Sequence, residues 1–264
     1  MALMNESAAL IELRNVSVMR GEKLALDGVS LRIEPGEHVA ILGPNGSGKS
    51  TFIKMITREC YPLLRDGSAL TILGRSRWNV FDLRPLLGVV TNDQVAACIR
   101  EVSAEEVVLA AFHSAIELMP YHAVTEEMRR RTAEQFRALE IPHLAGRLMT
   151  EMSSGEVHRV VIARALVHDP RALLLDEPSN SLDLRAQQEL REILRKLAQS
   201  GIGIILVTHH LADIIPEIGR VILLREGRVI ADGGKREVLR ADRLCELFGV
   251  PVELLERDGY YHLL

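Results

Sequence analysis

The chain has 264 residues, of which 47% are hydrophobic and 26% charged, with a formal net charge of −4. That balance fits a folded globular protein, excludes disorder by composition and lacks the basic excess of a nucleic-acid binder, so no nucleic-acid partner is expected. Cys60, Cys98 and Cys245 are widely spaced and form no CxxC pair, which argues against a disulfide framework or zinc site and for a reducing cytoplasm.

Residues 1–10 lack the basic start and apolar run of a secretory signal. Over 10–33, Ile11, Leu13, Val16 and Val18, then Val29, Leu31 and Ile33, alternate with polar residues and predict half-buried antiparallel strands. Pro35-Gly36 ends them. Residues 37–42 predict a strand and 51–56 a helix, and between them lie Gly43, Pro44, Asn45, Gly46, Ser47, Gly48, Lys49, Ser50 and Thr51. Glycines at this spacing let backbone N–H groups turn inward around a phosphate. Lys49 supplies a point charge for β/γ oxygens and the Ser50 hydroxyl suits a magnesium ion. Thr51 opens a helix whose positive end favours the same anion. Strand, loop and helix together are the P-loop arrangement, which predicts nucleotide triphosphate and Mg2+ as ligands.

Further strands are expected over 69–73 and 87–90. A helix should begin at Ser103, which forms a capping box with Glu106, and run through Val107, Val108, Ala111, Phe112 and Ile116. A second, charged helix is expected over 125–139. Residues 95–170 therefore read as a helical insert, closed by Pro170. An apolar strand over 173–176 then ends in Asp176 and Glu177, and adjacency on a strand should point the two carboxylates in different directions. Asp176 is placed to hold magnesium, and Glu177 to orient or deprotonate an attacking water. A helix over 184–199 carries Leu190, Ile193, Leu194 and Leu197 as a core stripe. The strand over 204–208 ends at Thr208-His209, where ligands bind in open α/β sheets, so His209 is expected on the γ-phosphate. His210 should point elsewhere and receives no role. Two hairpins follow, 221–224 with 228–231 around Glu226-Gly227, and 252–255 with 260–263 around Asp258-Gly259. Apolar runs such as 202–207 fall far short of the ~20 residues that span a membrane.

These residues resemble the ATP-binding cassette family over nearly the whole chain. Met152-Ser153-Ser154-Gly155-Glu156 stands where that family has its signature, and Asn180-Ser181-Leu182-Asp183 matches its dimer-seam loop. The resemblance implies an α/β fold: a P-loop NTPase core with an N-terminal antiparallel β subdomain and the helical insert. It implies one domain over 1–264, divided as 10–94 (β subdomain and P-loop core), 95–170 (helical subdomain), 171–240 (remainder of the core) and 241–264 (short extension). It also implies a head-to-tail dimer with each ATP between the P-loop of one copy and Ser153, Ser154, Gly155 and Glu156 of the other, with Ser181 and Asp183 at the seam. Ser154 and Glu156 depart from the usual Leu-Ser-Gly-Gly-Gln, so the site should close with altered donors. The adenine-stacking aromatic falls at or near Arg20, whose planar guanidinium is expected to stack instead. Gln94 is read as the coupling glutamine that reaches metal and water, although an ungapped comparison points to Asn92.

The implied function is ATP hydrolysis powering transport through a separate permease. A solute-binding protein is expected in the complex, and the chain is expected on the cytoplasmic face of the cell membrane. Likeness to cassettes of the molybdate and iron-siderophore uptake type implies import of a metal, oxyanion or siderophore. The permease surface is expected near Gln94 and the insert, with Phe112 and Tyr121 read as core rather than contact residues. The alternative is a soluble cassette ATPase of translation or DNA repair, against which stands the lack of a second P-loop or sustained heptads. A nucleotide sensor without turnover would need neither Glu177 nor His209.

Overall fold

A computed structural model describes residues 8–263. In chain order come β1 (Ile11–Arg20), β2 (Lys23–Ile33), β3 (His38–Leu42), α1 (Lys49–Ile56), β4 (Ala69–Ile72) and α2 (Val80–Leu83). Then follow β5 (Leu87–Val90), α3 (Asn92–Cys98), α4 (Ala104–Ala110), α5 (Glu126–Ala138), α6 (Ser154–Leu166), β6 (Ala172–Asp176) and α7 (Leu184–Gln199). Last are β7 (Gly203–Thr208), β8 (Arg220–Arg225), β9 (Arg228–Gly234), α8 (Lys235–Val238), α9 (Ala241–Phe248), β10 (Leu254–Arg257) and β11 (Tyr260–Leu263). These elements form two compact units, one up to Leu83 with Gly203 onward and one over Arg84–Ile202.

In the first unit, β1 is flanked by antiparallel β2 and β4. The alternation read from the sequence buries Ile11, Leu13, Val16, Val18, Val29 and Ile33 on one side. Beside this, β3 lies between parallel β7 and β8, and β9 pairs antiparallel with β8. From Val39 to Leu42 and from Gly203 to Thr208 every residue is buried, which is why these strands read as continuous apolar runs. Both expected hairpin turns form with left-handed backbone at both central residues, Glu226 (φ 50°) and Gly227 (φ 79°), and Asp258 (φ 53°) and Gly259 (φ 79°). β10 starts at Leu254 rather than 252, because the Val252 N–H is instead donated to Cys245 Sγ at 3.3 Å.

The second unit takes in parallel β5 and β6 with helices α3 to α7. The charged helix expected over 125–139 forms as α5, with Thr125 as its N-cap, the hydroxyl accepting from Met128 N–H. α4 is shorter than its apolar spacing predicts. Arg164 of α6 donates to the carbonyls of Val107 and Ala115, both at 2.6 Å, and Ser114 turns left-handed (φ 53°), so Ile116 falls outside the helix and is exposed. Phe112 packs edge-on to His168 with ring centroids 5.0 Å apart. Tyr121, expected in the core, is 79% exposed. Of the α7 stripe, Leu190 and Leu194 are buried, whereas Ile193 and Leu197 are half-buried and line a cavity of about 180 Å³ with Ala138 and Leu139.

Candidate active site

β3 runs directly into the glycine loop. Leu42 pairs with Thr208 and Leu223, and the Gly43 N–H is donated to the Thr208 carbonyl at 3.3 Å. A Cβ on Gly43 would lie 2.2 Å from the Leu224 carbonyl oxygen and 2.6 Å from Ser47 Oγ. Gly43→Ala should therefore cost at least ~1–3 kcal/mol by overpacking against backbone. A melting temperature equal to that of the parent protein would contradict this account of the loop.

Gly46 (φ 80°) and Gly48 (φ 109°) carry the loop through conformations that side chains oppose. At Gly48 a Cβ would also meet the Ala25 carbonyl oxygen at 2.5 Å. The Gly227 turn buttresses the loop from outside, its N–H held by the Ser47 carbonyl at 2.8 Å and its own carbonyl accepting from Asp27 N–H at 2.9 Å. Lys49 is only 4% exposed, and its ammonium donates to the carbonyls of Gly43 (2.7 Å) and Pro44 (3.0 Å). Asn45, Gly46 and Ser50 are exposed, Pro44 and Thr51 half-exposed, and Ser47 Oγ is buried among the described residues without a hydrogen-bond partner. A loop made of backbone donors around a lysine fits a polyphosphate.

The same unit brings His209 to this loop, since it follows the Thr208 whose carbonyl Gly43 engages. Thr208 Oγ1 donates to buried Asp213 at 2.8 Å and accepts from the His210 N–H at 3.0 Å, shaping the turn that carries both imidazoles. The His209 and His210 rings lie 3.8 Å apart at 42°, and His210 is the more exposed of the two. Asp213 was not legible as a site residue. Its only signal is an acid five residues after a strand-end threonine. Arg20 is exposed at the end of β1, paired with Lys23 across the hairpin.

In the second unit, Asp176 is the last residue of β6, and Glu177 lies beyond the strand with φ 48°. Glu177 therefore follows a left-handed step outside the strand, where the alternation expected of adjacent strand residues does not apply. Such a conformation is costly for a non-glycine residue and recurs where geometry serves chemistry. Asn180 Nδ2 donates to Glu177 Oε2 at 2.6 Å. Ser181 is left-handed too (φ 65°) and exposed, and Asp183 caps α7 through the Ala186 N–H at 2.8 Å. Asn92 and Gln94 are both exposed in the first turn of α3, where Thr91 Oγ1 accepts from Gln94 N–H at 3.2 Å.

The segment expected as the signature opens α6. Ser153 is its N-cap, and a complete capping box joins it to Glu156. A Cβ on Gly155 would lie 2.9 Å from Ala186 Cβ, whereas Ser154, the exposed first residue of the helix, meets no such limit. A side chain therefore has room at Ser154, whereas one at Gly155 would press on α7. His158 is buried, which lowers its pKa, and because a carbonyl can only accept, its Nδ1–H donates to the Ser154 carbonyl at 2.8 Å.

Over residues 26–180 the chain matches the family model described as ABC transporter. The chain belongs to the ABC transporter family. It is similar to the hemin import ATP-binding protein HmuV of Pseudomonas fluorescens, 32% identical over 92% of this chain and 94% of that protein. The ABC transporter component cbiO1 of Clostridium perfringens, part of the complex cbiONQ, superposes with TM-score 0.75 at 26% identity, covering 91% of this chain and 94% of that one. A further ATP-binding cassette, solved as a dimer in a post-hydrolysis state with ADP and Pi, gives TM-score 0.68 at 28% identity over 85% of this chain and 98% of its own. As an ABC ATPase the protein binds and hydrolyses ATP, on the antiparallel β subdomain and parallel-strand core that the sequence predicts.

Proposed function

We propose that two copies of this chain drive a separate membrane permease, each ATP held by the P-loop of one copy and by Ser153, Ser154, Gly155 and Glu156 of the other. The observation that carries this reading is the glycine cradle around Lys49, followed on the same β3 framework by His209. Lys49 and the backbone of residues 43–51 bind the β- and γ-phosphates, and Arg20 stacks on the base. A magnesium ion, which neutralises developing phosphate charge, would be held by Ser50, Asp176 and Gln94 with oxygens of the nucleotide itself. Glu177 positions and deprotonates the attacking water, and His209 contacts the γ-phosphate. Ser181 and Asp183 lie at the seam. The whole chain acts as one domain, with its helical part over 95–170.

Among the described residues no helix is long and apolar enough to cross a membrane. In the assembly we propose, the transported molecule passes through a partner, with this chain on the cytoplasmic face and a solute-binding protein completing an importer. The cargo class we favour is a metal, oxyanion or siderophore, and the hemin named for the Pseudomonas relative is itself an iron chelate. Purification from native membranes in mild detergent, followed by mass spectrometry, tests the assignment. A permease in equal amount is the expected result, and ribosomal or DNA-repair components without a permease would overturn it.

Arg20→Ala provides a narrower test. It should weaken ATP and GTP binding unequally, because guanidinium stacking depends on the ring it meets. Unchanged affinities for both nucleotides, measured by calorimetry, would remove Arg20 from the site.

A further inference from the structure

The two Ser153 donors expected to meet γ-phosphate at the start of α6 are already engaged by a carboxylate. Ser153 donates its N–H to Glu156 Oε2 at 2.8 Å and its hydroxyl to the same oxygen at 2.9 Å, while Ser153 Oγ accepts the Glu156 N–H at 3.4 Å. The other carboxylate oxygen, Oε1, takes a bond from Arg147 Nη1 at 2.9 Å, and Arg147 Nη2 is fixed on the Glu151 carbonyl at 2.8 Å. These contacts, with the Ser153 backbone N–H foremost, hold the Glu156 carboxyl below the usual carboxylate range. Ser103 and Glu106 make the same box at the start of α4, so the box alone is a helix cap. What sets α6 apart is the arginine on the second oxygen and the place of its cap in the family signature.

We propose that Glu156 is a built-in competitor for the incoming phosphate at Ser153, and that Arg147 is the arm that draws it aside. The proposal rests on the signature reading above. A γ-phosphate approaching Ser153 meets an anion on the donors it needs, and like charges repel. Closure then requires the Ser153 hydroxyl to swing off Oε2 while the carboxylate turns towards Arg147, whose guanidinium can take both oxygens. A glutamine at 156 would keep the cap and remove the charge, so this chain trades ease of closure for a higher nucleotide threshold.

The test compares ATP concentrations for half-maximal turnover in the full-length protein. Glu156→Gln should lower that concentration by roughly three- to tenfold, the size of one charge-assisted contact partly offset by its neutral replacement. Arg147→Ala should raise it, because the carboxylate then rests on Ser153 alone, and the rise should vanish when Glu156→Gln is also present. Glu106→Gln, which alters the equivalent cap at α4, should leave it unchanged. Ser153→Ala distinguishes the signature role of Ser153 from the competitor role of Glu156. If Ser153→Ala leaves the ATP requirement untouched, the signature assignment itself fails. If Ser153→Ala raises the requirement while Glu156→Gln does not lower it, or if Arg147→Ala acts equally in both backgrounds, the competitor role alone is overturned.

Discussion

Glu177→Gln is expected to reduce steady-state ATP turnover by about 10²–10⁴-fold, the usual contribution of a positioned general base, while nucleotide binding persists. The substitution isolates the proton-accepting function. Glutamine keeps the length of the side chain and an oxygen able to accept from Asn180 Nδ2, which now sits 2.6 Å from Glu177 Oε2. The left-handed backbone at φ 48° already exists for a non-glycine residue, so the change adds no new strain there. Loss of kcat with ATP affinity retained is the signature of an interaction made only in the transition state. Turnover within twofold of the parent protein would remove Glu177 as the base and leave Asp176 or His209 to be tested in its place.

Lys49→Ala should weaken ATP binding roughly ten- to hundredfold, corresponding to ~1.5–3 kcal/mol for a charge-assisted contact. The side chain is buried, and its bonds to the Gly43 and Pro44 carbonyls at 2.7 and 3.0 Å hold the ammonium inside the loop it serves. Removing it takes away both the charge and an internal strut. Affinity and melting temperature should therefore be measured together. A folded variant that binds ATP as tightly as the parent would contradict the phosphate role.

Much of the site was legible because its chemistry is local in sequence. The glycines of 43–48 are needed for reasons a spacing can carry, positive φ at Gly46 and Gly48 and close backbone approach at Gly43. The Glu226-Gly227 and Asp258-Gly259 turns were equally readable, since two-residue hairpins demand left-handed backbone. What escaped depends on residues distant in sequence. α4 stops early because Arg164, some fifty residues later, captures carbonyls at its end. Gly227 was read as a turn, but its support of Ser47 requires β8 and β9 to lie beside the P-loop. The close approach at Gly155 comes from Ala186 of α7, and no sequence window around residues 152–156 contains that residue. Ile116 is exposed because it lies beyond the early end of α4.

In the proposed dimer, one ATP is shared between the P-loop of one copy and the signature of another. Light scattering of the Glu177→Gln protein with and without Mg2+ and ATP, with bound nucleotide counted in the same sample, tests this most directly. The mass should double on adding ATP with two nucleotides retained per pair of chains, and Ser153→Ala should abolish that doubling. A protein that binds ATP fully yet stays a monomer, or a pair that forms equally without nucleotide, would contradict it.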